Sequence, residues 1–209
     1  MINFNKDKLI QIFGPKCTAI NVNGELTEFI NIPTIQMKFC EAVNQSFKVP
    51  VRLNTDNLGC PGARHCIGFQ NDNRQIATKI SDENNIPVKF IHTALEKIPV
   101  LKGITHINLG LTECIENDIQ SDLYIIYVQP FKITMLMHKL SKMALIPSVL
   151  PYTFLSVCGN VFANCYLNKK VTISFGCPES RESGGIGKDE IVVGLPFSVA
   201  ENLLHYYDD

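Results

Sequence analysis

The sequence predicts an α+β fold: a mixed, largely antiparallel sheet packed against four to six helices, in one domain spanning residues 1–209. Three observations predict it. Short β-rich runs, above all Leu123–Val128 (LYIIYV), are interspersed with segments whose apolar residues recur at helical spacing. Asn23-Gly24 is the pair that best tolerates positive φ at both central positions of a two-residue hairpin, so antiparallel strands are expected around it. Finally, 209 residues with 45% hydrophobic content suffice for one sizeable core.

The elements follow in order. Asn5–Phe13 reads as a short amphipathic helix, ended by Gly14-Pro15. Cys17–Val22 is a strand, with its hairpin return over about Glu25–Ile32. Thr34 is expected to cap a helix running to about Phe47, with Ile35, Phe39, Val43 and Phe47 on one stripe and Cys40 beside it. Val49–Thr55 is a strand, Gln70–Lys79 a polar crossing or turn, and Ser81–Asn85 a solvated loop. Phe90–Ile98 is a short helix carrying a surface His92. Ile104–Leu111 alternates apolar and polar residues, the pattern of a half-buried strand. Leu123–Val128 reads as a central strand buried on both faces. Pro130 opens a helix to about Ala144, and the strand–helix succession allows a locally parallel crossover. Met135, Met137 and Met143 on that helix read as core filling rather than a soft-metal stripe. Phe154–Leu167 is helical, Val171–Phe175 and Glu190–Leu195 are strands, and Phe197–Tyr206 is a last helix after Pro196.

Charge and composition narrow the function. A net charge of −1 gives no general attraction to nucleic acid or to anionic membrane. No apolar run approaches the ~20 residues of a spanning helix, and the N-terminus lacks the pattern of a signal peptide. The expected location is therefore cytoplasmic. Eight cysteines there point to reduced, metal-bound or redox-active thiols rather than structural disulfides.

The most informative stretch is Asp56–Phe69, DNLGCPGARHCIGF. Pro61 suits the first position of a helix, which places Cys60 at the N-cap. Free amides and the positive end of the helix dipole favour an anionic sulfur there, and Arg64 and His65 lie within about a turn. Cys60 is thus the candidate reactive thiol. Its packing alternative is a small apolar plug at a helix end. Cys66, six residues on, points about 240° away on a regular helix, and C-x5-C is no specific metal spacing. Cys158 and Cys165, seven apart, fall within about 20° of one face, with Gly159 allowing a close approach. Core packing is the competing reading for Cys40, Cys158 and Cys165 alike. In the loop Gly176–Asp189, GCPESRESGGIGKD, Cys177-Pro178 repeats the Cys-Pro arrangement and Arg181 follows. Ser183–Lys188, SGGIGK, is a candidate anion nest but lacks a Walker A pattern.

Together these stretches resemble the DUF169 family, an uncharacterised group found largely in archaea and anaerobic bacteria. The matching residues are Lys38–Val43 (KFCEAV), Leu58–Phe69 (LGCPGARHCIGF), Ser121–Pro130 (SDLYIIYVQP), the segment around Cys158, Ser174–Arg181 (SFGCPESR) and Glu190–Pro196 (EIVVGLP). The likeness covers most of the chain from about residue 10 onward. No established reaction comes with it. It does imply that Cys40, Cys60, Cys158 and Cys177 are the family's cysteine positions, whereas Cys17, Cys66, Cys114 and Cys165 are additions. Glu179 stands where a glycine is common.

Three readings follow. Four thiolates from Cys40, Cys60, Cys158 and Cys177 would suit zinc or an iron–sulfur cluster in a redox or accessory role, and the resemblance to proteins of anaerobes favours the cluster. A metal-free thiol redox enzyme would use Cys60 as nucleophile, with Arg64 or His65 as activator and Cys177 or Cys158 resolving. A binding module for a small anionic ligand would use Arg64, Arg181 and the Cys60 helix end. The expected partners are a small molecule or a redox partner protein, with a homo-oligomer allowed.

Overall fold

The computed structural model describes residues 6–24, 31–70, 73–110 and 121–206. Seven strands form one mixed sheet: β1 (Cys17–Val22), β2 (Val51–Asn54), β3 (His106–Gly110), β4 (Leu123–Val128), β5 (Ser148–Val149), β6 (Thr172–Ser174) and β7 (Ile191–Pro196). Their order is β2-β3-β1-β4-β7-β6-β5. Every pairing is antiparallel except β5 with β6. The parallel pair therefore lies at an edge, not at the crossover expected after β4. Pro130 does open a helix, α6, but the next strand joins β6 and not β4.

The sheet is covered on both faces, and the pleat decides which residue goes where. On β4, Tyr124, Ile126 and Val128 join a core with α1 (Lys6–Phe13), α6 (Pro130–Lys142) and α9 (Phe197–His205). Leu123, Ile125 and Tyr127 join a larger core on the opposite face. That face is covered by α2 (Phe39–Ser46), α3 (Pro61–Ile67), α4 (Asn73–Asn84), α5 (Val88–Leu95) and a π-helix, Ser156–Ala163, continued by α7 (Asn164–Asn168). Among the described residues no helix is long and apolar enough to cross a membrane.

Several expectations change. β1 is not half of a local hairpin, because its two edges are filled by β3 and β4. Asn23 does take positive φ. Residues 25–30 of the expected return strand lie outside the described residues, and Asn31 instead bridges Val51. α2 begins at Phe39, not Thr34, because Met37 is held in a bridge to Leu58; Ile35 is 74% exposed. Residues 73–84, read as a turn and a loop, form α4, whose buried stripe is only Ile76, Ala77 and Ile80. β3 is buried on both faces, since Asn108 sits inside the sheet and donates from Nδ2 to Asn21 Oδ1 (3.2 Å) and the Gly24 carbonyl (2.8 Å). His92 is half-buried rather than on the surface.

A candidate thiol site under the helical layer

Four segments remote in sequence deliver the site. Cys40 sits in the first turn of α2. Cys60 is the N-cap of α3, with Pro61 at the first helical position, as the sequence implies. Cys158 lies in the π-helix, every residue of which is buried. Cys177 is the N-cap of α8 (Pro178–Glu182), a short helix inside the loop expected to be irregular. There Ser180 N donates to Cys177 Sγ (3.4 Å), and Cys177 N donates to Ser180 Oγ (2.8 Å).

These thiols lie within electrostatic reach of one another. Burial, then Cys177, Cys158 and Cys60, push the Cys40 thiol far above its ordinary value. Cys158 is pushed up first by a hydrogen bond with Cys66, then by burial, with Cys177 adding to both. Cys60 is pushed up to about 12 by burial and by Cys158. The amides of Ala63 and Gly62 pull Cys60 down, as an N-cap should, but burial outweighs them. The lowered pKa expected at this N-cap is thus reversed.

Glycines allow the close packing. A Cβ on Gly184 would stand 2.8 Å from Cys40 Cβ, so the loop after α8 presses onto α2. A Cβ on Gly159 would stand 3.0 Å from Cys66 Sγ, which identifies the close approach expected at that glycine. Cys165 turns elsewhere, against Gly194 of β7, because i→i+5 winding alters the face relation expected of a regular helix.

The arginines act on backbone. Arg64 Nη1 donates to the carbonyls of Thr55 (2.6 Å) and Leu58 (3.0 Å), holding the turn before Cys60. Arg181 donates to the carbonyls of Gly187 (2.7 Å), Phe175 (2.5 Å) and Glu190 (3.1 Å). Both guanidinium groups brace the loops that carry Cys60 and Cys177. The glycine nest also has an internal anion: Gly187 N donates to Glu190 Oε2 (2.6 Å), which pairs with Lys16 Nζ (2.7 Å). His65 is buried, and neither ring nitrogen has a hydrogen-bond partner among the described residues. Burial keeps it neutral, opposed only in part by the nearby Gln70 backbone, so it lends no positive charge to Cys60.

A cleft of about 360 Å³ opens over Cys60 and Cys177, walled by Ile76, Ile80, Phe154 and Leu155. At its rim Lys38 Nζ pairs with Glu179 Oε1 (2.8 Å). Cys60 and Cys177 are half-buried, whereas Cys40 and Cys158 are buried. Tyr127 reaches the same region from β4. Its hydroxyl is buried without a hydrogen-bond partner among the described residues, and its pKa is raised by burial, Cys40, Glu190 and Cys177. Nothing but its place in the LYIIYV run marks it in the sequence.

The family model described as DUF169, uncharacterised ArCR, matches residues 18–205. The chain belongs to the DUF169 family. No curated protein and no solved structure matches it. Within this DUF169 protein, the segments that carry Cys40, Cys60, Cys158 and Cys177 are those that meet at the cleft.

The donor chemistry of that meeting point suits a soft metal. Four thiols are the usual set for zinc or a cubane cluster. Among the described residues no group of three or more His, Cys, Asp or Glu side chains is arranged to hold a metal ion as it stands. Thiolate sites in general take up metal with loss of the thiol protons.

Proposed function

We propose that this protein holds a thiolate-bound metal centre through Cys40, Cys60, Cys158 and Cys177, in a redox or accessory role in a reducing cytoplasm. An iron–sulfur cluster is the favoured centre and zinc the alternative. The observation that carries the reading is that four segments distant in sequence, each bearing one of these cysteines, meet at one cleft, which Cys60 and Cys177 line directly. Gathered thiols oppose one another's ionisation, and a bound cation would offset that opposition and favour the thiolates. The resemblance to proteins of anaerobes supports the cluster.

Each part of the chain has a task in this reading. Ser180 N and the amides after Cys60 favour negative sulfur at two helix N-caps. Arg64 and Arg181 hold the two loops in place. The buried pair Cys40 and Cys158 faces the protein interior, and the half-buried pair Cys60 and Cys177 faces the cleft, through which a small molecule or a partner's electron would arrive. When bound, an iron–sulfur centre supplies one-electron transfer and zinc a redox-inert clamp.

The metal-free nucleophile draws less support, because Cys60 is protonated near neutrality, Arg64 faces carbonyls and His65 is neutral. Anaerobic purification followed by iron, sulfide and zinc analysis tests the proposal. A brown protein with iron and acid-labile sulfide in equal amounts is expected, and serine at any of the four positions should abolish it. Protein that takes up neither iron nor zinc under reducing conditions would falsify the reading.

A further inference from the structure

The mouth of the cleft has a chemistry separate from that of its thiols. Its apolar wall is built before any ligand arrives. Ile76 and Ile80, one turn apart on α4, form one part of it, and Phe154 and Leu155, which lead into the π-helix, form the rest. The Phe154 ring is stacked on Tyr152 at 5.7 Å between centroids and stands edge-on to Phe90 at 6.5 Å. Leu155 is held at φ +49° and lies against Gly62, where an added Cβ would overlap Leu155 Cδ2. Neighbours thus fix both side chains. The cleft of about 360 Å³ falls in the range of small-molecule sites, about 300–1,000 Å³.

The rim carries charges of both signs, and they do not cancel. Lys38 pairs with Glu179 at 2.8 Å, and Lys79 pairs with Glu83, one turn on, at 3.7 Å. Glu182, the last residue of α8, is exposed and has no ion-pair partner among the described residues. Three carboxylates therefore stand against two ammonium groups around the opening. Glu179 also opposes negative charge on Cys60 below it. We propose that the cleft binds a small organic amine, protonated at neutral pH, with its apolar body between Ile76, Ile80, Phe154 and Leu155 and its ammonium at Glu182. The apolar body gains by leaving water. The ammonium stays at the mouth, where it keeps part of its hydration and meets the unpaired carboxylate. A ligand carboxylate would instead meet Glu182 and would have to take Lys38 or Lys79 from its partner. The amine occupies the cleft of the metal-centre reading, yet its binding needs no metal.

The test uses reduced, metal-free protein with labelled isoleucine methyl groups and two probes of similar length and opposite charge, 2-phenylethylamine and 3-phenylpropionate. The amine should shift the Ile76 and Ile80 methyl signals and bind about fivefold tighter than the acid, the scale of one exposed ion pair. Added salt should narrow that difference. Glu182→Gln should bring the two affinities together and Glu182→Lys should reverse their order, both at an exposed position that leaves the core intact. Glu201→Gln on α9, on the other face of the sheet, should change neither affinity. A second readout does not depend on how well one ring fits. Methanethiosulfonate reagents bearing a trimethylammonium or a sulfonate group convert a cysteine thiolate to a mixed disulfide and release methanesulfinate. At Cys177, followed by mass spectrometry, the cationic reagent should be favoured over the anionic one by more than it is with free cysteine, and Glu182→Lys should cancel that excess. Isoleucine methyl signals that the amine leaves in place, an acid that binds as tightly as the amine, or charge preferences indifferent to position 182 overturn the proposal. Protein that takes up neither iron nor zinc ends the metal-centre reading alone, since all of these measurements are made without metal.

Discussion

At Gly184 an added methyl group would lie 2.5 Å from the Ser180 carbonyl oxygen and 2.8 Å from Cys40 Cβ. The first neighbour is backbone and cannot step aside, so the loop after α8 must lift off α2. Gly184→Ala should cost about 1–3 kcal/mol, the usual range for overpacking, and should loosen metal retention because Cys177 moves with the loop. Urea denaturation of the metal-free variant gives the first quantity and chelator competition the second. Arg181 gives a complementary case. Its three hydrogen bonds end on carbonyls around the same loop, so Arg181→Met should lower stability by about 2 kcal/mol. Lysine should rescue little, because one ammonium cannot replace a fork. Unaltered stability with lost binding of a small anion would instead restore the anion-site reading. At this scale the sequence revealed the position of Cys60 but not its acidity. Pro61 fixes the N-cap locally, whereas the burial and the Cys158 neighbour that outweigh the helix dipole arrive from segments about a hundred residues away.

The elements were legible where one strong local signal acted alone. β1 and β4 match their expected spans and α3 starts at Pro61 as expected, because β-rich runs and a Cys-Pro N-cap leave few alternatives. α4 was not legible, since a buried stripe of three small or medium residues in a polar segment resembles a turn. The π-helix could not be read either. Residues that predict α-helix equally permit i→i+5 winding, and here tertiary packing decides between them: Leu155 at its start is held at φ +49°. Such a backbone costs an L residue roughly 1–2 kcal/mol. α8 was hidden because five residues among glycines carry no periodicity, yet it separates two roles of Cys177. As an N-cap, the Cys177 sulfur accepts from Ser180 N. Cys177→Ser should therefore keep the stability of the metal-free protein, and Cys177→Ala should lose about 1 kcal/mol. Both should lose the metal. If serine retains metal as wild type does, Cys177 is a cap and not a ligand. Thermal midpoints paired with metal analysis of the same samples distinguish these outcomes.

Across the whole molecule, the two cores each hold a buried thiol outside the proposed site. Cys17 lies on the α1, α6 and α9 face, and Cys165 lies under the π-helix side. Burial raises each from 9.0 to about 12; at Cys165 Thr172 and Lys169 offset this only in part. The unfolded chain releases these protons first as pH rises through about 9, while the folded chain retains them. Stability is then fully present below pH 9 and is lost progressively up to about 12. A rise of about three pH units is worth about 4 kcal/mol per thiol at the alkaline end. Two such groups account for about 8 kcal/mol, comparable with the 5–15 kcal/mol that holds a typical domain together. The metal-free protein should therefore unfold cooperatively in this window, followed by circular dichroism from pH 7 to 12. Cys17→Ala and Cys165→Ala should each flatten the alkaline limb, although both lose some stability at pH 7 from missing packing. Parallel alkaline limbs in wild type and both variants would show that these two thiols are ionised or exposed in the fold, and the two-sided burial of the sheet would have to be revised.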